Sequence, residues 1–198
     1  MTNQEKLKNL DNLTFELLDK LEEFPKDKLS FYDEKWSVLQ IMYHIWLAEI
    51  SSEKYIRTKT QYPETIIKTP VSSYIKAFLT KYFLLLGYSI NAPKVTAEFP
   101  KEIILKELKK NWINSRSSFS KLIVELDQKN LSKKAIFRHA LMGRINLSLT
   151  LYFFEIHFNH HLKQINKRLG TNVIYNLFHL CLVFLLMANL LISSFFQS

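Results

Sequence analysis

Glycine is nearly absent from this chain of 198 residues, which holds 3 glycines, 5 prolines and 1 cysteine. Strands need frequent turn punctuation, so this scarcity argues against an all-β fold and for long helices. It also excludes a glycine-rich phosphate-binding loop, in which several glycines let backbone amides approach a phosphate. The lone Cys181 excludes an internal disulfide and any C-x-x-C site. It lies in an apolar run with no neighbouring base, which makes it a poor nucleophile. No G-x-S-x-G elbow occurs. Met1–Asn9 is polar and charged and no apolar core follows it, so no cleaved secretion signal is expected.

What is present is apolar and unevenly charged. Hydrophobic residues make up 47%, enough for a sizeable core, and the formal charge is +9. Residues 1–34 carry five lysines against nine carboxylates, so the remainder holds +13, and no charged residue follows Arg168. A basic balance suits nucleic acid or an anionic membrane surface. Here a lysine-rich composition accounts for it, and without a recognised nucleic-acid motif no such partner is expected.

Leucines at three- and four-residue spacing from Leu7 to Leu21 predict an amphipathic helix over about 3–24, closed by Pro25. A polar connector spans 25–35. Ser37 with Gln40 reads as a capping box that opens a helix to about Thr60, with Leu39, Tyr43, Trp46, Leu47 and Ile50 towards a core. A linker at 62–69 precedes a helix over 71–90 that weakens at Gly87. Residues 91–99 read as irregular. Pro100 suits the first position of a long helix over 100–128, and 131–146 reads as a loop. Asn146 or Ser148 caps the next helix, which runs to Leu169 and stops at Gly170.

Beyond it, Val173–Phe196 has no charged residue. Twenty-four helical residues reach about 36 Å, enough for a hydrocarbon core of about 30 Å. Lys163, Lys167 and Arg168 precede the stretch, so the positive-inside bias predicts a cytoplasmic domain tail-anchored by a single transmembrane helix in the cytoplasmic membrane. The alternative is a soluble cytoplasmic protein in which 173–196 packs as a terminal helix.

Three of the six histidines lie within residues 157–161. His157 and His161 are four apart, so on a helix they share a face and two imidazoles can meet one metal ion. His157 with His160 is sterically open too. Phe158 stands where a zinc protease of the H-E-x-x-H type carries its general base, so that motif is absent. His44 sits in a mostly apolar helix, where its own position suits a hydrogen-bonded core histidine as well as a ligand.

Taken together, Lys35-Trp36-Ser37, Gln40-Ile41 and His44, then His139, Gly143, His157, His160-His161 and Gln164-Ile165, resemble the DinB-like superfamily. That group includes metalloenzymes related to bacillithiol- and mycothiol-dependent transferases. The likeness covers roughly residues 5–170. It implies an all-α, up-down-down-up four-helix bundle over 1–170, to which the hydrophobic helix at 173–196 is an addition outside the usual domain. It also implies a divalent metal held by His44, His157 and His161. One departure is Ala140, where the family often has proline after the loop histidine.

Three neutral imidazoles leave room for water or substrate, as catalytic zinc sites do. Zinc, nickel and iron all suit them. A metal so held lowers the pKa of water or stabilises a thiolate. Gln164, Glu49 and Glu155 are candidates for orienting the ligands, although each carboxylate also reads as an ordinary solvated or structural one. His139 reads as a loop-packing residue, and His160 as an adjacent, partly exposed one. The expected function is a metal-dependent thiol S-transferase or hydrolase in detoxification or stress response. It would take a small-molecule substrate, with a low-molecular-weight thiol as cosubstrate. The alternative is a non-catalytic, membrane-tethered metal-binding or interaction module. Related domains often form homodimers through bundle faces, and no stretch here identifies such a face.

Overall fold

A computed structural model describes residues 1–88 and 94–170. The elements run α1 (Asn3–Leu21), α2 (Lys26–Ser30), α3 (Val38–Lys59), a 3-10 turn (Pro63–Thr65), α4 (Val71–Leu85) and α5 (Lys94–Ala97). They continue with α6 (Leu105–Gln128), β1 (Phe137–His139), β2 (Gly143–Ile145) and α7 (Leu147–Leu169). The described chain is mostly helical, as the shortage of turn residues predicts.

Side-chain caps set the helix starts. Ser37 Oγ accepts from the Gln40 amide at 3.2 Å while Gln40 Oε1 accepts from the Ser37 amide at 2.8 Å. Thr2 and Glu5 form a second capping box at the start of α1. Asn146 Oδ1 accepts from the Leu149 amide at 2.9 Å and opens α7. Each such cap contributes about 1 kcal/mol. At the far end of α7, Gly170 takes φ 67°, the left-handed conformation that ends a helix.

Several boundaries differ from the sequence reading. The expected 25–35 connector contains α2, with Pro25 just outside its first turn. Helix α6 begins at Leu105 rather than at Pro100. The β-branched pair Ile103-Ile104 favours extended backbone, and Ile103 packs against the main core from there. The 131–146 loop contains the β1–β2 hairpin, paired Phe137↔Ile145, Arg138↔Arg144 and His139↔Gly143. The most deeply buried stripe of α3 is Val38, Ile41, Met42, Ile45 and Ile56, and Leu39 is buried as expected, while Tyr43, Trp46, Leu47 and Ile50 are half-buried. Helix α3 meets α2, α5, α6, α7 and β1. With apolar residues nearly all round, its sequence marks no single face.

The main core joins α1, α3, α6 and α7, with α1 and α3 each packed against both α6 and α7. On α7 its stripe is Leu147, Leu151, Phe154, Phe158, Ile165 and Leu169. A second cluster lies on another side of α7, where Leu149 and Ile156 meet Ala77 and Leu84 of α4 and Met142 and Ile145 of the hairpin. Helix α7 is thus enclosed from two directions, which fixes the azimuth of every side chain between those stripes. Among the described residues no helix is long and apolar enough to cross a membrane. The apolar stretch 173–196 lies outside the described residues.

Candidate metal centre

Two well-capped helices set the geometry. His44 lies seven residues, about two turns, beyond the Ser37 cap of α3. His157 and His161 project from one face of α7 between its two buried stripes. The packing of α3 on α7 brings the three rings together. His44 Nε2 lies 3.2 Å from His157 Nε2, and His161 Nε2 lies 3.0 Å from the same atom. Their nitrogens all fall within 4.8 Å of one another, a group that could hold a metal ion. His44 is 5% exposed and His161 7%, while His157 is half-buried. Trp36 lies 4.9 Å from the His44 ring and Phe153 stacks on His157 at 5.1 Å, so aromatic surfaces wall the cluster.

Hydrogen bonds at the outer nitrogens orient these rings. His44 Nδ1–H donates to the Thr96 carbonyl at 2.7 Å, which leaves Nε2 with its lone pair facing inward. A longer relay serves His161. His160 Nδ1–H donates to the Leu84 carbonyl at 3.2 Å, so His160 Nε2 accepts from the Gln164 amide nitrogen at 3.1 Å. That fixes the amide with Oε1 towards His161, whose Nδ1–H donates to it at 2.9 Å. The C-terminal end of α4 therefore sets the tautomer of His161, three hydrogen bonds away. Two inward lone pairs then face His157 Nε2, which has one proton at most to offer them. A cation satisfies all three nitrogens at once.

The electrostatics agree with that arrangement. Burial pushes His161 down to about 3, with His44 adding to the shift. Burial also holds His157 well below the ordinary histidine range, and the neighbouring imidazoles lower it further. His44 is lowered by burial, against which its bond to Thr96 works. The cluster is thus neutral near pH 7, the protonation state in which imidazole binds metal.

Of the other candidates, Gln164 reaches the cluster and the two carboxylates do not. Glu49 is turned to the opposite side of α3. Its oxygens accept from Arg116 Nε and a terminal Arg116 nitrogen, both at 2.8 Å, and from Trp112 Nε1 at 3.0 Å. Glu155 is exposed, because two helical residues from His157 place it on the far side of α7. His160, expected to be partly exposed, is 6% exposed, because α4 covers it. His139 packs in the hairpin, its Nδ1 accepting from the Leu141 and Met142 amides at 3.2 Å each. Burial lowers it to about 4. The positioning role of His160 went unread in the sequence, although its four-residue spacing to Gln164 was a usable signal.

No protein-family model, no curated protein and no solved structure matches this chain. The fold and the site define a mostly helical protein with a buried three-histidine group suited to a metal ion.

Proposed function

We propose that the chain is a divalent-metal-dependent enzyme of the DinB-like class, a thiol S-transferase or hydrolase acting on a small electrophilic molecule. In this reading α1, α3, α6 and α7 are the four helices of an up-down-down-up bundle, and α4, α5 and the hairpin are additions around it. The carrying observation is the convergence of His44, His157 and His161 through Nε2, with the outer nitrogens of His44 and His161 committed to Thr96 and Gln164.

A divalent ion held there supplies a water or thiol of lowered pKa near neutral pH, with zinc, nickel and iron all fitting an imidazole set. The protein's part is to present three neutral donors and hold them in place. Three donors leave a coordination position for water, thiol or substrate. Trp36 and Phe153 give that position an apolar surround, which strengthens electrostatic interactions inside it. A low-molecular-weight thiol is the cosubstrate in this reading, as it is in the thiol-dependent transferases that the histidine pattern resembles. Residues 173–196, uncharged and following Lys163, Lys167 and Arg168, tether the domain to the cytoplasmic membrane in this reading.

The test is metal content by mass spectrometry on the full chain, purified without a histidine tag and compared with His44→Ala, His157→Ala and His161→Ala. Near-stoichiometric metal in the wild type and its loss in all three variants is the expected result. A folded wild type that takes up no zinc, nickel or iron would sink the enzyme reading.

A further inference from the structure

A second cleft lies at the other end of α3. Lys59, the last residue of that helix, is fifteen residues from His44, about 22 Å along the axis. Between Lys59, the 3-10 turn and the hairpin is a cavity of about 100 Å³, lined by Tyr55, Lys59, Thr65, Phe137, Arg138 and Arg144 among others. Among the described residues no carboxylate lines it.

The hairpin register places Arg138 and Arg144 directly opposite each other. Directly paired residues of an antiparallel ladder project from the same face, and like charges so placed repel. Both arginines are exposed, and among the described residues neither forms an ion pair. Lys59 joins them from α3. Its ammonium donates to Thr65 Oγ1 at 2.6 Å, and the Thr65 hydroxyl donates to the Tyr62 carbonyl at 2.7 Å, so the lysine is held in position. The Ala135 amide donates to the Ile67 carbonyl at 2.9 Å, and Lys68 and Lys134 form an isolated antiparallel bridge, which fastens the segment after the turn to the chain entering the hairpin. One wall is aromatic, with Tyr55 and Phe137 edge-to-face at 5.4 Å.

We infer that this cleft binds a phosphate-bearing anion, with Arg138, Arg144 and Lys59 as its ligands. Two guanidinium forks and one ammonium match the several oxygens and the double charge of a phosphoryl group better than a singly charged carboxylate. An anion bridging Arg138 and Arg144 turns a repulsive cross-strand pair into an attractive one. Tyr55, which lines the cleft from α3, offers aromatic surface to whatever the phosphate is attached to.

The test is calorimetric titration of the full chain with sodium pyrophosphate in EDTA, so that no metal at the histidines takes part and the outcome is independent of the enzyme proposal. A parallel arm measures flotation with phosphatidylcholine vesicles with and without phosphatidic acid, which separates a free ligand from a lipid headgroup. Saturable pyrophosphate binding supports the site if Arg138→Glu, Arg144→Glu and Lys59→Glu each weaken it about tenfold or more, the loss of a charge-assisted hydrogen bond. The exposed Lys110→Glu must leave it within about twofold. A phosphatidic-acid-dependent gain in flotation lost in the same three variants supports the headgroup source. The inference is overturned if neither probe binds, or if the cleft variants bind as the wild type and Lys110→Glu do.

Discussion

At the residue scale, the centre depends on which nitrogen of each ring carries the proton. Gln164 is the hinge of that assignment, because its amide accepts from His161 and donates to His160. Gln164→Leu removes the acceptor without opening the core, since Gln164 is half-buried. It is expected to weaken zinc binding about 10- to 100-fold, the usual cost of losing a partner behind a metal-binding histidine. Gln164→Glu keeps an acceptor for His161 and is expected to recover part of the loss. Competition against a chromophoric chelator measures both, and equal affinity across the three proteins would show that the relay does not position His161. Spacing made part of this legible in advance. His157 and His161 share a face of any helix, whereas the partnership of His44 with them spans 113 residues and no local pattern encodes it. Glu49 misled because nearness in sequence is not nearness in azimuth: five residues along α3 turn it away from His44 towards α6.

At the element scale, helix starts were readable wherever a side chain marks them, as Ser37 and Asn146 do. The β1–β2 hairpin was not, because its strands are three residues each and their pairing is set by contact with α3 and α4 rather than by alternation. Nor did periodicity show how α1, α3 and α6 are fastened together. Arg116 of α6 is buried between Asp11 of α1 and Glu49 of α3, at 2.8 Å from each. Burial raises the Glu49 carboxyl, while Arg116 and then Trp112 oppose the rise. The pair spans helices 67 residues apart in sequence, and an arginine in an amphipathic helix ordinarily reads as a solvated one. Arg116→Ala leaves Glu49 buried without its counter-ion and is expected to cost about 3–5 kcal/mol. The double change Arg116→Met with Glu49→Leu removes both charges and is expected to cost much less. Urea unfolding of the two proteins decides it, and equal losses would mean that Arg116 contributes by packing alone.

At the scale of the whole molecule, the histidine cluster joins α3 to α7, so its proton binding, and the metal binding proposed for it, are coupled to folding. The ordinary histidine value is 6.5, while burial lowers His161 to about 3 and His139 to about 4 in the folded chain. In the unfolded chain these groups take up protons near 6.5, and in the folded chain they resist. The unfolded state therefore binds more protons across that window. The stability they contribute is complete above 6.5 and falls as pH drops towards their folded values. Each such histidine adds at most about 1.4 kcal/mol per pH unit to the slope. Between pH 6.5 and 5, above the ordinary carboxylate range, the melting temperature of the EDTA-treated full chain is expected to fall as pH falls. The slope should be smaller in His161→Ala, which lacks one of the contributing groups. If the folded arrangement alone holds zinc, as proposed, zinc should raise the melting temperature in proportion to the logarithm of its concentration. Imidazoles already held neutral present little proton competition, so this rise should persist well below pH 6.5. A melting temperature that is flat from pH 6.5 to 5 in EDTA, with the same profile in His161→Ala, would show that the cluster is hydrated and uncoupled from folding.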